Sequence, residues 1–213
     1  MNQSVKMVEE VFNRYVEPVV KTYMLGEIPQ LILTIHRQGT KEKDWLASVR
    51  WKETNTASIF RCDVYFEDIH RLCRDSRIYL QTEVNFPVIL LYFIMHPVFQ
   101  SQYTDFTTSN LLKDYDAMMV GSAERAAEYI MEKLSAKTGY KRSVVDVLTT
   151  YTAYAINPTD ENRAVLRAAQ KRYHKLAMEL YPAAYPVAAL RRGHMCLVDQ
   201  DGYMHLEKLR KKE

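Results

Sequence analysis

"QLILTIHRQG" (residues 30–39), "DWLASVRWKE" (44–53) and "ASIFRCDVYFE" (57–67) decide how this chain is read. In the first, Leu31, Leu33 and Ile35 alternate with Ile32, Thr34 and His36. In the second, Trp45, Ala47, Val49 and Trp51 alternate with Leu46, Ser48, Arg50 and Lys52. In the third, Ile59, Arg61, Asp63 and Tyr65 alternate with Phe60, Cys62, Val64 and Phe66. Side chains of an extended chain point to opposite faces in turn, and β-branched and aromatic residues suit that pleated surface. The polar links "RQGTKEKD" and "ETNT" read as turns. Three strands joined by short links predict an antiparallel meander over about residues 30–67, with one face free to pack on helices.

On either side of these strands the period changes from two to about 3.6. Val8, Val11, Phe12, Tyr15, Val19 and Tyr23 predict a helix over residues 4–24, with Ser4 as N-cap, Pro18 as a kink or split, and Gly26 as a stop. "FEDIHRLCRDS" predicts a short helix or turn. "FPVILLYFIMHPVFQ" (86–100) is apolar all round, so it predicts a buried helix with Ile89, Leu90, Phe93 and Ile94 in the core. Pro97 disfavours helical geometry at His96, which places this histidine at a helix end or kink, donating to carbonyls that the proline frees. Ser122 reads as the N-cap of a helix closing on Gly139. "RSVVDVLTTYTAYAI" reads as a further helix or a buried apolar segment, and Thr159 or Asp160 caps a long helix stopped by Pro182. "HMCLVDQDGYMHLEKL" predicts a hairpin turning at Asp201-Gly202. The expected fold class is therefore α+β: an N-terminal helix, a three-stranded antiparallel meander, then a mainly helical C-terminal half with a small terminal hairpin.

With 213 residues, 47% of them hydrophobic, the chain has enough apolar material for a single compact domain over 1–213. Its natural subdivision is an α+β body, 1–110, and a helical, basic region, 111–213. The longest apolar run, Phe86–Met95, is half the length of a membrane span, and "MNQSVKMVEEVFNRY" lacks the apolar core of a signal peptide. Three cysteines, Cys62, Cys73 and Cys196, with no CxxC, predict no disulfide framework and a reducing compartment. The expectation is a cytoplasmic protein with no membrane contact.

Motifs for common chemistries are missing. A strand-rich front followed by a buried helix carrying a histidine has the element order of zinc-dependent peptidases. Those need HExxH, two imidazoles one turn apart with a glutamate between them, and the segment here is "HPVFQ". The sequence has no GxSxG, no P-loop and no GxGxxG, and so predicts no catalytic residue, no metal ligand and no cofactor. Asp63, Glu67 and Asp68 near His70 form an acidic cluster, read as a hydrated strand end rather than a cation site.

Charge is distributed unevenly. Residues 137–213 hold 14 Lys and Arg against 8 Asp and Glu, while the rest of the chain is mildly acidic. Within the long helix, Arg163, Arg167, Lys171 and Lys175 recur every four residues. Four steps of about 100° bring each nearly over the last, so they form one slowly drifting line opposite much of the apolar stripe. Arg172 and His174 flank the line, and Arg191 and Arg192 follow it. Glu161 and Glu179 are the carboxylates read as available to pair with it, and Tyr173 and Tyr185 as available for stacking. Such a row can neutralise successive phosphates. The expected function is a non-enzymatic binding module docking on nucleic acid or an acidic protein. An adaptor, including a homo-oligomer, acting through tyrosine- and methionine-rich interfaces is the alternative. A degenerate metallohydrolase-like enzyme is the weaker one.

Overall fold

The computed structural model describes residues 3–23, 30–39, 48–53, 58–78, 85–101, 115–180, 194–198 and 204–208. Helices hold most of them. Helix α1 (Gln3–Val11) passes through a π-helical segment (Phe12–Val16) into α2 (Glu17–Tyr23). The π segment is the local answer to Pro18. Proline has no N–H for the carbonyl four residues back, and its ring crowds that carbonyl. Here the preceding turn widens, and the Glu17 N–H reaches back five residues to the Phe12 carbonyl. The irregularity expected at Pro18 thus takes the form of a π-helical segment between α1 and α2.

Strands β1 (Gln30–His36), β2 (Ser48–Glu53) and β3 (Ser58–Tyr65) form a sheet in the order β1-β3-β2. The expected antiparallel meander is wrong. Strand β1 runs parallel to β3, in a register from Gln30↔Ile59 to His36↔Tyr65. Strand β2 lies on the other side of β3, antiparallel to it, from Ser48↔Asp63 to Glu53↔Ser58. Burial accounts for the order. Cys62, Asp63 and Val64 are consecutive in β3 and all buried, so this strand is covered on both faces. A strand of that kind belongs in the middle of a sheet. The eleven residues between β1 and β2 are ample to span two strand spacings, about 10 Å.

Helix α3 (Phe66–Ser76) follows β3 directly, and α4 (Asn85–Ser101), α5 (Tyr115–Lys133), α6 (Gly139–Ile156) and α7 (Asp160–Leu180) complete the helical body. Strands β4 (His194–Val198) and β5 (Met204–Lys208) pair antiparallel. Helix α4 is the hub. It packs against α1, the π segment, β2, α3, α5 and α6. Val88 through Met95 are all fully buried, each large side chain contributing about 1.5–3 kcal/mol of apolar burial. Pro97 sits inside α4, which continues to Ser101. Helix α5 begins at Tyr115, so Ser122 is interior and buried rather than a cap. Gly139 opens α6 at φ 69°, a left-handed conformation that favours glycine.

Among the described residues, no helix is long and apolar enough to cross a membrane.

Candidate functional site

Helix α7 is held at its start by Thr159, whose Oγ1 accepts the Asn162 N–H at 3.2 Å. Asp160 and Glu161 in its first turn complement the helix dipole. Leu166, Ala169, Gln170, Tyr173 and Ala177 form its buried face, packed mainly on α6. Two polar groups fix its rotation. The Gln170 Nε2 donates to the Ser76 carbonyl at the end of α3, at 2.8 Å. The Tyr173 hydroxyl accepts from Asn85 Nδ2 at 3.1 Å.

With that face buried, the basic row turns outward. Arg163, Arg167, Lys171 and Lys175 are all exposed. Arg163 lies over the Tyr154 ring, 5.8 Å from its centroid, and pairs with Asp160 at 3.0 Å. Lys175 has Glu179 at 3.9 Å. Arg167 and Lys171, at the middle of the row, make no ion pair with any described residue. Arg172, which flanks the row, turns away from it: its guanidinium reaches Asp146 of α6 at 3.5 Å, a carboxylate that Arg142 also holds at 2.7 Å. The internal partners are thus Asp160, Glu179 and Asp146, two of which reading by spacing missed. Exposed pairs of this kind contribute about 0.2–1 kcal/mol, little enough for a phosphate to displace. Tyr173 is fully buried and unavailable for stacking. Arg191, Arg192 and Tyr185 lie outside the described residues.

The acidic stretch after β3 is engaged internally. Asp63 is buried, and its carboxylate accepts from His36 Nε2 at 2.8 Å and from Arg61 Nε at 3.0 Å. The His36 ring stacks on Tyr65, with centroids 4.5 Å apart. These contacts follow from the parallel register, which sets His36 beside Tyr65 and Thr34 beside Asp63. Sequence spacing gave no signal for them, because His36 and Asp63 are 27 residues apart. Asp68 pairs with Arg71 at 2.9 Å, and Glu67 accepts the Gly39 N–H. A Cβ on Gly39 would lie 2.8 Å from Asp68 Oδ1, so a larger residue here would have to displace that carboxylate.

His96 is completely buried. Its Nε2–H donates to the Met119 carbonyl of α5 at 3.1 Å, so its partner is a neighbouring helix and not carbonyls freed by Pro97. Burial holds its basicity down at about 4, so the ring is neutral. Burial pushes the Cys62 thiol up to about 12 and raises Cys73 further, which keeps both protonated and unreactive. Among the described residues no three His, Cys, Asp or Glu side chains come together as metal ligands. Comparison of the chain with protein-family models, with curated proteins and with solved structures finds no match.

Proposed function

We propose that this chain is a non-enzymatic nucleic-acid-binding module, docking on the phosphate backbone along the outer face of α7. The observation that carries the reading is the pair Arg167 and Lys171, exposed at the centre of a basic row and without a carboxylate among the described residues. Fixed cations spaced one helical turn apart, about 6 Å, can meet successive phosphates. Tyr173 faces inward and cannot stack a base, and contacts of the row to phosphates carry no base information. The buried free thiols of Cys62 and Cys73 suit a reducing, cytoplasmic setting. Exposed large apolar side chains among the described residues are Val165, Met178 and Leu180, dispersed along α7 rather than gathered in a patch, which favours this reading over an apolar protein interface.

The test is binding of the full chain to single- and double-stranded nucleic acid at several salt concentrations. Four phosphate contacts give a slope of log affinity against log salt of about −3. The double variant Arg167→Glu, Lys171→Glu weakens binding to all sequences alike, while circular dichroism stays native because glutamate is a good helix former. Equal, negligible affinity of both proteins at low salt rules the reading out and leaves the row as either a solvated face or a contact for an acidic protein partner.

A further inference from the structure

One carboxylate of α6 faces two arginines. Asp146 is half-buried on the side of α6 that meets α7. Arg142, one turn earlier on α6, donates its Nε–H to Asp146 Oδ1 at 2.7 Å. Its Nη1 lies 2.7 Å from Met131 Sδ of α5, so this guanidinium is held on two sides. Arg172 of α7 reaches the other carboxylate oxygen, Oδ2, at 3.5 Å. Two guanidinium groups from two helices thus share one aspartate, and one positive charge is left over. Each guanidinium carries five N–H donors, more than a shared carboxylate takes up, and the two side chains stay 45% and 60% exposed. The helix positions three and four residues from Arg172 are Ala168, Ala169, Lys175 and Leu176, so no carboxylate borders it along its own helix. Lys175 instead joins Arg172 to the edge of the basic row, and the small, exposed Ala168 leaves the approach open. Helix stability does not explain the motif. Arginine four residues before aspartate is the weaker order for such a pair, because it opposes the helix dipole.

We infer that Arg142 and Arg172 form a second phosphate site across the seam of α6 and α7, that Asp146 is the residue positioning them, and that the site takes a phosphodiester of the nucleic acid lying on α7. The inference rests on the reading of α7 as a nucleic-acid face. A guanidinium is planar and rigid, and it meets a phosphate with two parallel N–H donors. Held by Asp146, the two planes need little further ordering when the phosphate arrives, so less entropy is lost on binding. The ligand brings negative charge to a place where positive charge is in excess, and Asp146 keeps its bonds. The site also widens the face. The row runs along one helix, and Arg142 adds a contact on its neighbour. A purely structural role for the trio, pinning α6 to α7, gives no dependence of binding on either arginine.

The experiment uses the full chain and a duplex oligonucleotide at several salt concentrations, with unfolding midpoints to show that each variant is folded in the assay. Arg142→Gln and Arg172→Gln each weaken binding about three- to tenfold and make the salt slope shallower by about 0.7–0.9. Lys21→Gln removes the same charge from α2, where Lys21 is 46% exposed and pairs with Glu17, and changes neither quantity. Arg172→Lys keeps the charge but loses the planar fork, and weakens binding about threefold. Asp146→Asn takes a negative charge off the face and still does not tighten binding, because the two guanidinium groups lose their support. If both glutamine variants bind as the native chain does, or no worse than Lys21→Gln, the site is wrong while the α7 reading stands on its own test. An Arg172→Lys chain that binds like the native one reduces the site to diffuse charge and overturns it. Tighter binding by Asp146→Asn makes Asp146 a screen against the ligand and overturns its positioning role. If the native chain fails to bind at low salt, the α7 reading falls and takes the site with it.

Discussion

At the scale of single residues, His96 shows how burial and chemistry trade. Its ring gives one hydrogen bond to the Met119 carbonyl, and its other nitrogen, Nδ1, is buried with no hydrogen-bond partner among the described residues. A charged imidazole there would lose its hydration without gaining a carboxylate. The folded pKa of about 4 lies below the ordinary 6.5, so between those values the unfolded chain binds more protons. This contribution is complete above pH 6.5, declines as pH falls, and is gone below about 4, a loss of about 3 kcal/mol at most. Urea midpoints of the native chain and of His96→Gln measure it. The two should diverge by about 2–3 kcal/mol in their response between pH 7.5 and pH 4.5. Parallel pH profiles would show that His96 does not titrate on unfolding. The apolar run around His96 made its burial legible in sequence. Its partner was not legible, since Met119 is 23 residues away and belongs to another helix.

Helices and strands were legible to different degrees, for a physical reason. Helix α7 declares itself through local bonds: a threonine cap, acidic residues in its first turn and a 3.6-residue stripe. Thr159→Ala removes the bond to the Asn162 N–H and should lower stability by about 1 kcal/mol, with amide exchange speeding up first at the N-terminal turn of α7. An unchanged midpoint would assign the cap to another group. Alternation marks which residues extend, but it says nothing about which strand lies beside which. Short links suggest hairpins by default, and here the default fails for β1 because the doubly covered β3 takes the central place. The basic row was visible because four-residue spacing is a property of one helix. The neutralisation of Arg172 by Asp146 was not, because it depends on how helices pack.

For the whole molecule, α4 is the element on which others converge. A cavity at its centre is bordered by several helices that would all have to shift to fill it. Leu90→Ala should therefore cost about 2–5 kcal/mol, read as a drop in urea midpoint with an unchanged slope. A loss below 1 kcal/mol would mean that the centre of the core is loosely packed. The order of the strands also has a temporal side. Strands β2 and β3 are neighbours in sequence and can pair early, whereas β1 must wait for a partner whose matching residue lies 29 positions on, as Gln30 does for Ile59. Closing that loop is the slower event, so the transition state for folding should contain the hairpin and lack β1. Leu33→Ala would then speed unfolding while leaving refolding nearly unchanged, and a φ-value near 1 at Leu33 would reverse the order. Until β1 docks, one side of β3 is an open edge in a nascent chain, and that interval is when this protein is most exposed to pairing with a second copy of itself.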